Sequence, residues 1–116
     1  MFRYQAEKTF EERLQETRKV TQKWPGRVPI IIEPVKETQR AKLNKPKILC
    51  VGGCTVQHFL GVIRKKMKLP KDSALFLFLN GTELITGDSI IGELYQSKKA
   101  DDGYLYFKAS EQEVMG

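Results

Sequence analysis

The run Arg27–Glu33 constrains the fold more than any other part of the sequence. Four of its seven residues are valine or isoleucine, and β-branched side chains favour an extended strand over a helix. Pro34 closes the run, and Pro29 inside it has no backbone N–H, so the first half is predicted to be a strand start or an edge. Pro25 disfavours a helical residue before it. The chain must therefore leave any preceding helix at this point and continue as a strand.

Residues 1–24 are predicted to be helical. Thr9 and Glu12 have the spacing of a capping box, in which the two side chains satisfy free backbone amides. Residues at helical intervals, with charges between them, follow at Phe10, Leu14, Thr17, Thr21 and Trp24. Residues 1–8 are expected to form a shorter helix before this one.

A loop, a strand and a helix are predicted after the first strand. Residues 35–45 are polar and are expected to be mostly loop, and Lys47–Val51 forms a strand that ends at two glycines. Thr55 is expected to cap the next helix. One face of that helix carries Val56, Phe59, Leu60, Ile63 and Met67.

A hairpin and a last helix and strand complete the pattern. Asn80-Gly81 indicates a two-residue type I′ turn, with strands on its two sides at residues 75–79 and 82–85. Asp88 or Ser89 is predicted to cap a short helix, and the final strand starts at Tyr104 and ends at Lys108. After the N-terminal helices the order is β-β-α-β-β-α-β, which fits an α+β fold with a helix across a mixed sheet.

The size and composition indicate one globular domain. The chain has 116 residues, of which 29% are charged and 41% apolar, which is typical of a domain with its own core. No run approaches the roughly 20 apolar residues of a membrane span. The start of the chain is polar and does not look like a signal peptide, so a cytoplasmic location with free thiols is expected.

The net charge of +6 leaves three kinds of partner open: nucleic acid, an anionic membrane surface and acidic peptides. The densest basic run is Arg64-Lys65-Lys66 with Lys68. Aromatic side chains that could stack on bases are absent from this run, and cations also suit a helix C-terminus. A solvated helix end is therefore favoured, and no nucleic-acid partner is expected.

Cys50, Cys54 and His58 follow one another at intervals of four residues, a spacing that suggests a zinc site. Structural zinc needs four ligands, and the sequence has no third cysteine and no second histidine. Cys54 is instead expected to pack as a small apolar residue. No metal, no cofactor and no catalytic residue is predicted.

Short motifs along the whole chain follow a known pattern. The most specific is Trp24-Pro25-Gly26 followed by the run Arg27–Glu33; the others are Phe10-Glu11-Glu12-Arg13, Thr55-Val56-x-x-Phe59, Ile63-Arg64-Lys65, Ala74-Leu75-Phe76-Leu77-Phe78, Gly92-Glu93-Leu94-Tyr95 and Leu105-Tyr106. In this order the sequence resembles the autophagy ubiquitin-like modifiers, the family of the GABA-receptor-associated protein and the microtubule-associated light chain.

The resemblance implies a ubiquitin-like β-grasp, with a mixed four-stranded sheet and an N-terminal helical extension. The extension would be residues 1–24, the β-grasp residues 25–109 and a conjugation tail residues 110–116, all in one domain. Family members are joined through a terminal glycine to phosphatidylethanolamine on autophagosomal membranes. Activating and conjugating enzymes pass the glycine as a thioester, and a cysteine protease exposes or releases it.

Gly116 would then be the conjugated residue, and the protein would be a substrate of these enzymes rather than an enzyme. It would be cytoplasmic until lipidation and would lie on the autophagosome membrane afterwards. The alternative is an unconjugated peptide-binding adaptor of the same fold. The sequence fits both a Gly116 that ends the natural chain and one that is exposed by cleavage.

The resemblance implies a second activity, which is the recognition of short aromatic-x-x-aliphatic motifs in cargo receptors. The peptide would add a strand at the edge formed by Lys47–Val51. The aromatic pocket would use Glu16, Val20, Pro29, Ile31, Lys47, Leu49 and Tyr104. The aliphatic pocket would use Ile48, Val51, Cys54, Phe59 and Val62. Acidic residues beside the motif would meet Arg27, Lys45, Lys47 and Lys66.

A purely structural role stays open for several of these residues. Leu49, Phe59 and Val62 suit a hydrophobic core equally well. Lys45 and Lys47 also suit an edge strand that uses lysines to discourage aggregation. Both roles are compatible for the lysines, because an edge guarded by cations favours acidic peptides.

Four positions depart from the family pattern. Val51 stands where a proline is usual, Ile48 where an aromatic residue is common, and Tyr104 where phenylalanine is common. Met115 precedes the terminal glycine, where an aromatic residue is usual. The first two departures are expected to reshape the aliphatic pocket and so to change partner preference.

Overall fold

The computed structural model describes residues 2–113 of the chain. Its elements, in chain order, are helices α1 (Arg3–Glu7) and α2 (Phe10–Lys23), strand β1 (Arg27–Pro34), a 3₁₀ helix (Glu37–Leu43), strand β2 (Lys47–Val51), helix α3 (Val56–Met67), strands β3 (Ser73–Leu79) and β4 (Glu83–Leu84), helix α4 (Ile91–Lys98) and strand β5 (Leu105–Glu113). The predicted α+β class and the predicted order of elements are confirmed.

The strands form one mixed sheet in the order β2-β1-β5-β3-β4. The four-stranded sheet implied by the resemblance is wrong, whereas the predicted element order already contains five strands; the short strand β4 follows the Asn80-Gly81 turn and pairs antiparallel with β3. Both turn residues have positive φ, 55° and 83°, as a type I′ hairpin requires. Strand β1 lies inside the sheet, antiparallel to β2 and parallel to β5.

Pro29 lies in this interior strand without costing a backbone hydrogen bond. Pairing between β1 and β5 begins only at Ile30, so the missing N–H faces no partner on that side. On the other side Pro29 stands opposite Leu49. The Ile32 N–H donates to the Pro46 carbonyl at 2.9 Å, and hydrogen-bonded pairs alternate with open pairs along the ladder. The Pro29–Leu49 pair, three positions away, is therefore an open pair.

Two hydrophobic cores pack on the two faces of the sheet. Alternation along β1 sends Ile30 and Ile32 into the larger core, which Phe59 of α3 and Ile91 of α4 complete. Ile31 points to the other face and packs in a smaller cluster of Phe2, Tyr4, Ile31, Tyr104 and Tyr106. The N-terminal helices thus cover the face of the sheet that α3 leaves open.

Helix α1 is held against the sheet by a buried carboxylate. Glu33 is 2% exposed, and its Oε1 and Oε2 accept the backbone N–H groups of Arg3 at 2.9 Å and Tyr4 at 2.8 Å. Lys108 Nζ lies 3.5 Å from Glu33 Oε1, which compensates the buried charge. Because Phe2 and Tyr4 are also buried, the N-terminal segment is a docked part of the domain.

The ends of several elements differ from the sequence predictions. The predicted caps of α2 and α3 are confirmed, because Thr9 accepts the Glu12 N–H at 3.1 Å and Thr55 accepts the His58 N–H at 3.1 Å. The predicted side-chain cap of α4 is wrong: its N-cap is Ile90, which makes no side-chain cap and instead forms a backbone bridge with Thr55. The segment expected to be mostly loop, residues 35–45, contains the 3₁₀ helix.

Strand β5 is longer than the sequence predicts. It was expected to end at Lys108, but it continues to Glu113 and pairs with β3 as far as Ser73. Glu111, only 8% exposed, accepts a hydrogen bond from Gln39 Nε2 at 2.6 Å. Residues 110–113 of the predicted tail therefore belong to the sheet.

Candidate functional site

Strand β2 forms an open edge of the sheet, since β1 is its one partner among the described strands. By alternation along the ladder, Ile48 turns its backbone groups toward β1. Lys47, Leu49 and Val51 point theirs outward. The Val51 carbonyl accepts the Cys54 N–H at 3.0 Å, while the N–H and C=O groups of Lys47 and Leu49 project from the open side. A further strand could pair with these groups.

Two cavities flank this strand, and Ile48 and Leu49 line both. We name the first the α2-side cavity; it has a volume of about 380 Å³ and is lined by Glu16, Lys19, Val20, Pro29, Ile30, Lys47, Ile48, Leu49 and Tyr104. We name the second the α3-side cavity; it has a volume of about 500 Å³ and is lined by Ile48, Leu49, Cys50, Val51, Gly53, Cys54, Thr55, His58, Phe59 and Val62. Strand β2 therefore separates two cavities whose lining is mostly apolar.

Glu16 is the charged group of the α2-side cavity. Its Oε1 accepts hydrogen bonds from the hydroxyls of Tyr4 and Tyr104, the latter at 2.8 Å. Its Oε2 pairs with Lys8 and lies 3.9 Å from Lys47 Nζ. Burial alone would raise the pKa of Glu16, but the bonds from Lys8, Tyr4 and Tyr104 and the charge of Lys47 lower it to about 2. The carboxylate is therefore ionised at neutral pH.

Tyr104 forms the buried floor of the same cavity. It is 2% exposed, and its ring packs edge-on against Tyr4 at 5.6 Å between centroids. Burial, with the hydrogen bonds to Tyr4 and Glu16, raises the pKa of Tyr104, so its hydroxyl stays a donor. The hydroxyl by which Tyr104 departs from phenylalanine is thus used to hold Glu16.

The structure brings together six of the seven residues predicted for the aromatic pocket. The α2-side cavity is lined by Glu16, Val20, Pro29, Lys47, Leu49 and Tyr104. Ile31 does not line this cavity, because it is fully buried in the cluster around Tyr106. Lys19 and Ile30 line the cavity instead. Lys19 follows Glu16 by three residues, a spacing that puts both on one helix face and could have identified it.

All five residues predicted for the aliphatic pocket line the α3-side cavity. Phe59 also belongs to the larger core and is 1% exposed, so a structural role accounts for it as well. Val51 is 58% exposed and Leu49 38% exposed, so neither is a core residue. His58 and Cys50 line this cavity in addition. Within residues 2–113 no three acidic, cysteine or histidine side chains are grouped to hold a metal ion.

The four predicted cations are exposed but differ in position. Lys45 and Lys47 stand at the start of β2, and Arg27 lies opposite Val51 at its other end. The Arg27 guanidinium stacks 5.7 Å above the centre of the Trp24 ring. Lys66 lies on the last turn of α3 and lines neither cavity. Lys45 and Lys47 therefore border the open edge, and Arg27 lies one strand further into the sheet.

Gly116, the predicted conjugation residue, and Met115 before it lie outside the described residues. Within residues 2–113, no helix combines the length and the apolar character that crossing a membrane requires.

The sequence matches a known protein family over most of its length. A family model described as "Autophagy protein Atg8 ubiquitin like" matches residues 12–116. Autophagy-related protein 8e of Arabidopsis thaliana is 32% identical over 113 residues, which are 97% of this chain and 92% of that relative. Autophagy-related protein 8 of Kluyveromyces lactis is 35% identical over 113 residues, 97% of this chain and 90% of the relative.

A solved structure shares the whole fold. The crystal structure of Trypanosoma brucei ATG8 superimposes with a TM-score of 0.90 at 33% sequence identity, and the match covers 100% of this chain and 99% of the other. The arrangement of two N-terminal helices on a five-stranded mixed sheet is therefore a shared feature of the two proteins.

Proposed function

The chain belongs to the Atg8 family of autophagy ubiquitin-like proteins, and we propose that it is conjugated through Gly116 to phosphatidylethanolamine on autophagosomal membranes, where it recruits cargo receptors. Proteins of this family are non-enzymatic modifiers, so an activating enzyme, a conjugating enzyme and a cysteine protease would act on the chain. Attachment to a lipid with two acyl chains would hold it stably on the membrane, since each buried CH₂ contributes about 0.8 kcal/mol.

The open edge of β2 between two cavities supports the receptor-binding part of the proposal. A receptor peptide would pair with the outward backbone groups of Lys47 and Leu49 and so extend the sheet. Side chains three positions apart on an extended peptide point to opposite faces. The two anchors of an aromatic-x-x-aliphatic motif would therefore enter the α2-side and the α3-side cavities, which lie on opposite sides of the strand.

The free energy expected from the two anchors fits a complex of micromolar affinity. Burying each anchor contributes about 1.5–3 kcal/mol, so two anchors contribute about 3–6 kcal/mol. A micromolar complex requires about 8 kcal/mol, and the main-chain bonds and charge contacts supply the remainder. Lys45 and Lys47 border the edge and Arg27 lies one strand further in, so acidic residues beside the motif would add favourable charge contacts.

Titration with an acidic aromatic-x-x-leucine peptide tests the recruitment. Leu49→Ala is expected to weaken binding about tenfold. Leu49 lines both cavities, so the substitution removes contacts with both peptide anchors, and a combined loss of about 1.4 kcal/mol corresponds to a tenfold change in affinity. Leu84→Ala is the matched control, because Leu84 is an exposed leucine on β4, at the opposite edge of the sheet. Absence of binding by the unsubstituted protein, or equal affinities for all three proteins, would contradict the proposal.

Reconstitution with the activating and conjugating enzymes of the pathway and phosphatidylethanolamine liposomes tests the conjugation. Mass spectrometry should find the lipid on Gly116, and Gly116→Ala should abolish the adduct while leaving peptide affinity unchanged. If the chain stays unmodified beside an active control modifier, while still binding the peptide, the protein is the unconjugated adaptor instead.

A further inference from the structure

The two cysteines of the sequence, Cys50 and Cys54, are brought to the same cavity by the fold. Cys50 lies on β2 and is 8% exposed, while Cys54 directly precedes the cap of α3 and is partly exposed. Both line the α3-side cavity. Burial, together with the adjacent Cys54 side chain, raises the pKa of the Cys50 thiol. Both thiols therefore border one cavity, and the proposed function uses neither of them as a thiol.

The turn between the two cysteines is held from both sides. The Cys54 N–H donates to the Val51 carbonyl at 3.0 Å, and the Cys54 carbonyl accepts the Ile91 N–H at 2.9 Å. The Gly52 carbonyl accepts the Gly92 N–H at 2.8 Å. A Cβ on Gly92 would stand 2.7 Å from the Gly52 oxygen, so the start of α4 rests directly on the turn. Only three residues separate the two cysteines, and these bonds hold the backbone of the turn between them in place.

We propose that Cys50 and Cys54 form a reversible intramolecular disulfide that ties β2 to the start of α3 and narrows the α3-side cavity. In a reducing compartment the pair is a dithiol and the cavity is open. Under oxidising conditions the bond forms, because a sulfenic acid on one cysteine condenses with a thiol of the same chain faster than with a thiol of a second molecule.

A hydroperoxide is the oxidant in this reaction. The Cys54 sulfur, the more exposed of the two, attacks a peroxide oxygen as the thiolate; the O–O bond breaks, and Cys54 becomes a sulfenic acid as one water leaves. The Cys50 sulfur then attacks the Cys54 sulfur and loses its proton, and the displaced hydroxyl leaves as a second water. In total two thiols are oxidised to one disulfide and one hydrogen peroxide is reduced to two waters.

The disulfide would change which peptides the edge accepts. The α3-side cavity lies between β2, which carries Cys50, and the start of α3, next to Cys54. A covalent bond holds the two sulfurs closer together than two unbonded thiols can approach, so the cavity has less room for a large aliphatic side chain. This consequence for binding rests on the proposed function, whereas formation of the disulfide does not.

The bond itself is tested by counting thiols on the intact protein. The reduced chain should show two reactive thiols under denaturing conditions, and after stoichiometric hydrogen peroxide it should show none, with a mass lower by two hydrogen atoms and full recovery in dithiothreitol. Cys50→Ser and Cys54→Ser should each form no such species. Retention of both thiols, or addition of oxygen atoms to separate cysteines without loss of two hydrogens, would overturn the proposal.

The effect on the cavity is tested with two peptides that differ only in the aliphatic anchor, leucine or alanine. Oxidation should weaken binding of the leucine peptide about tenfold and leave the alanine peptide nearly unchanged, and peroxide should not alter the affinity of Cys54→Ser for either peptide. If the disulfide forms and the leucine peptide binds as before, the narrowing is refuted. If the reduced protein binds neither peptide, the proposed function fails while the thiol count still decides the disulfide.

Discussion

Glu16 joins groups from four separate parts of the chain. Tyr4 comes from α1, Lys8 from the linker after it, Tyr104 from the segment before β5 and Lys47 from the edge strand. The two hydroxyls donate hydrogen bonds to the Glu16 carboxylate, and the two ammonium groups pair with its negative charge. The carboxylate therefore stabilises the docking of the N-terminal helices and at the same time gives the α2-side cavity its charge.

The low pKa of Glu16 predicts how stability depends on pH. The pKa falls from 4.5 to about 2 on folding, so ionised Glu16 stabilises the folded state fully above pH 4.5, and this contribution is lost as the pH falls through about 2. Glu16→Gln should therefore lower the unfolding free energy by roughly 1 kcal/mol at pH 7, a figure reduced for partial solvent exposure. The difference from the unsubstituted protein should shrink below pH 4.5.

Urea denaturation of both proteins at pH 7, 4.5 and 2.5 measures this difference. Glu11→Gln serves as the control, because Glu11 is exposed on the same helix, and it should change stability little at any pH. A gap between the Glu16→Gln and unsubstituted proteins that is as large at pH 2.5 as at pH 7 would show that the charge of Glu16 is not its source.

In strand β2, the direction of each backbone N–H group decides whether it pairs with β1 or is free to bind a partner. Ile48 uses its N–H in the ladder to β1, whereas the N–H groups of Leu49 and Val51 point away from the sheet. Outward N–H groups are available to a partner and contribute little to the stability of the free domain. This distinction cannot be obtained from side-chain character, because all three residues are apolar.

Proline substitutions in β2 should reveal this alternation. Ile48→Pro is expected to destabilise the fold by about 3 kcal/mol more than Ile48→Ala, because it removes a ladder hydrogen bond. Val51→Pro is expected to stay within about 1 kcal/mol of Val51→Ala, because the lost N–H has no partner within the sheet. Urea denaturation of the four variants gives both differences. Equal costs for the two prolines would show that the inferred register is wrong.

The elements with strong local signals could be predicted from the sequence, and those that depend on distant partners could not. The β1 run, the caps at Thr9 and Thr55 and the Asn80-Gly81 turn are determined within a few residues. The start of α4 was misassigned because a backbone bridge to Thr55, rather than a nearby side chain, sets it. Strand β5 extends past Lys108 because β3 offers partners as far as Ser73, which no local pattern indicates.

The residues of the candidate site could likewise be predicted where local pattern decides their position, but not where distant contacts do. Alternation and the family resemblance identified both sides of β2, but alternation gives the face of a residue and not its depth. Ile31 shares a face with Pro29 yet is buried in the tyrosine cluster, so it does not line the α2-side cavity. The docking of α1 depends on Glu33, about thirty positions away, and could not be predicted from residues 1–8 alone.

At the scale of the whole molecule, the N-terminal segment closes the second core. Phe2 and Tyr4 complete the cluster over Ile31, and the Tyr4 hydroxyl reaches Glu16 in the α2-side cavity. The backbone of this segment is held by Glu33 on β1. Docking of α1 is therefore coupled to the wall of the cavity on the same face of the sheet.

Glu33→Gln should release α1. An amide offers one acceptor oxygen instead of two, so one of the N–H groups of Arg3 and Tyr4 loses its partner, and a lost bond to a buried carboxylate costs about 1.5–3 kcal/mol. Hydrogen exchange of residues 3–7 should accelerate at least about tenfold, while residues 56–67 of α3 keep their protection.

Mass spectrometry of the exchanged peptides measures this release. Glu7→Gln is the matched control, because Glu7 lies on α1 itself and pairs only with Arg3 at an exposed position among its described contacts. Unchanged exchange at residues 3–7 in Glu33→Gln, or equal acceleration in both variants, would contradict the role assigned to Glu33.

The position of β5 has a consequence for the synthesis of the protein. This strand is the last of the five to leave the ribosome, yet it stands at the centre of the sheet between β1 and β3. Until it emerges, the other described strands can pair only as two separate units, β1 with β2 and β3 with β4. Isolated hairpins are marginally stable in water. The sheet is therefore expected to become stable only when β5 is available, and before that its unpaired strand edges are open to aggregation.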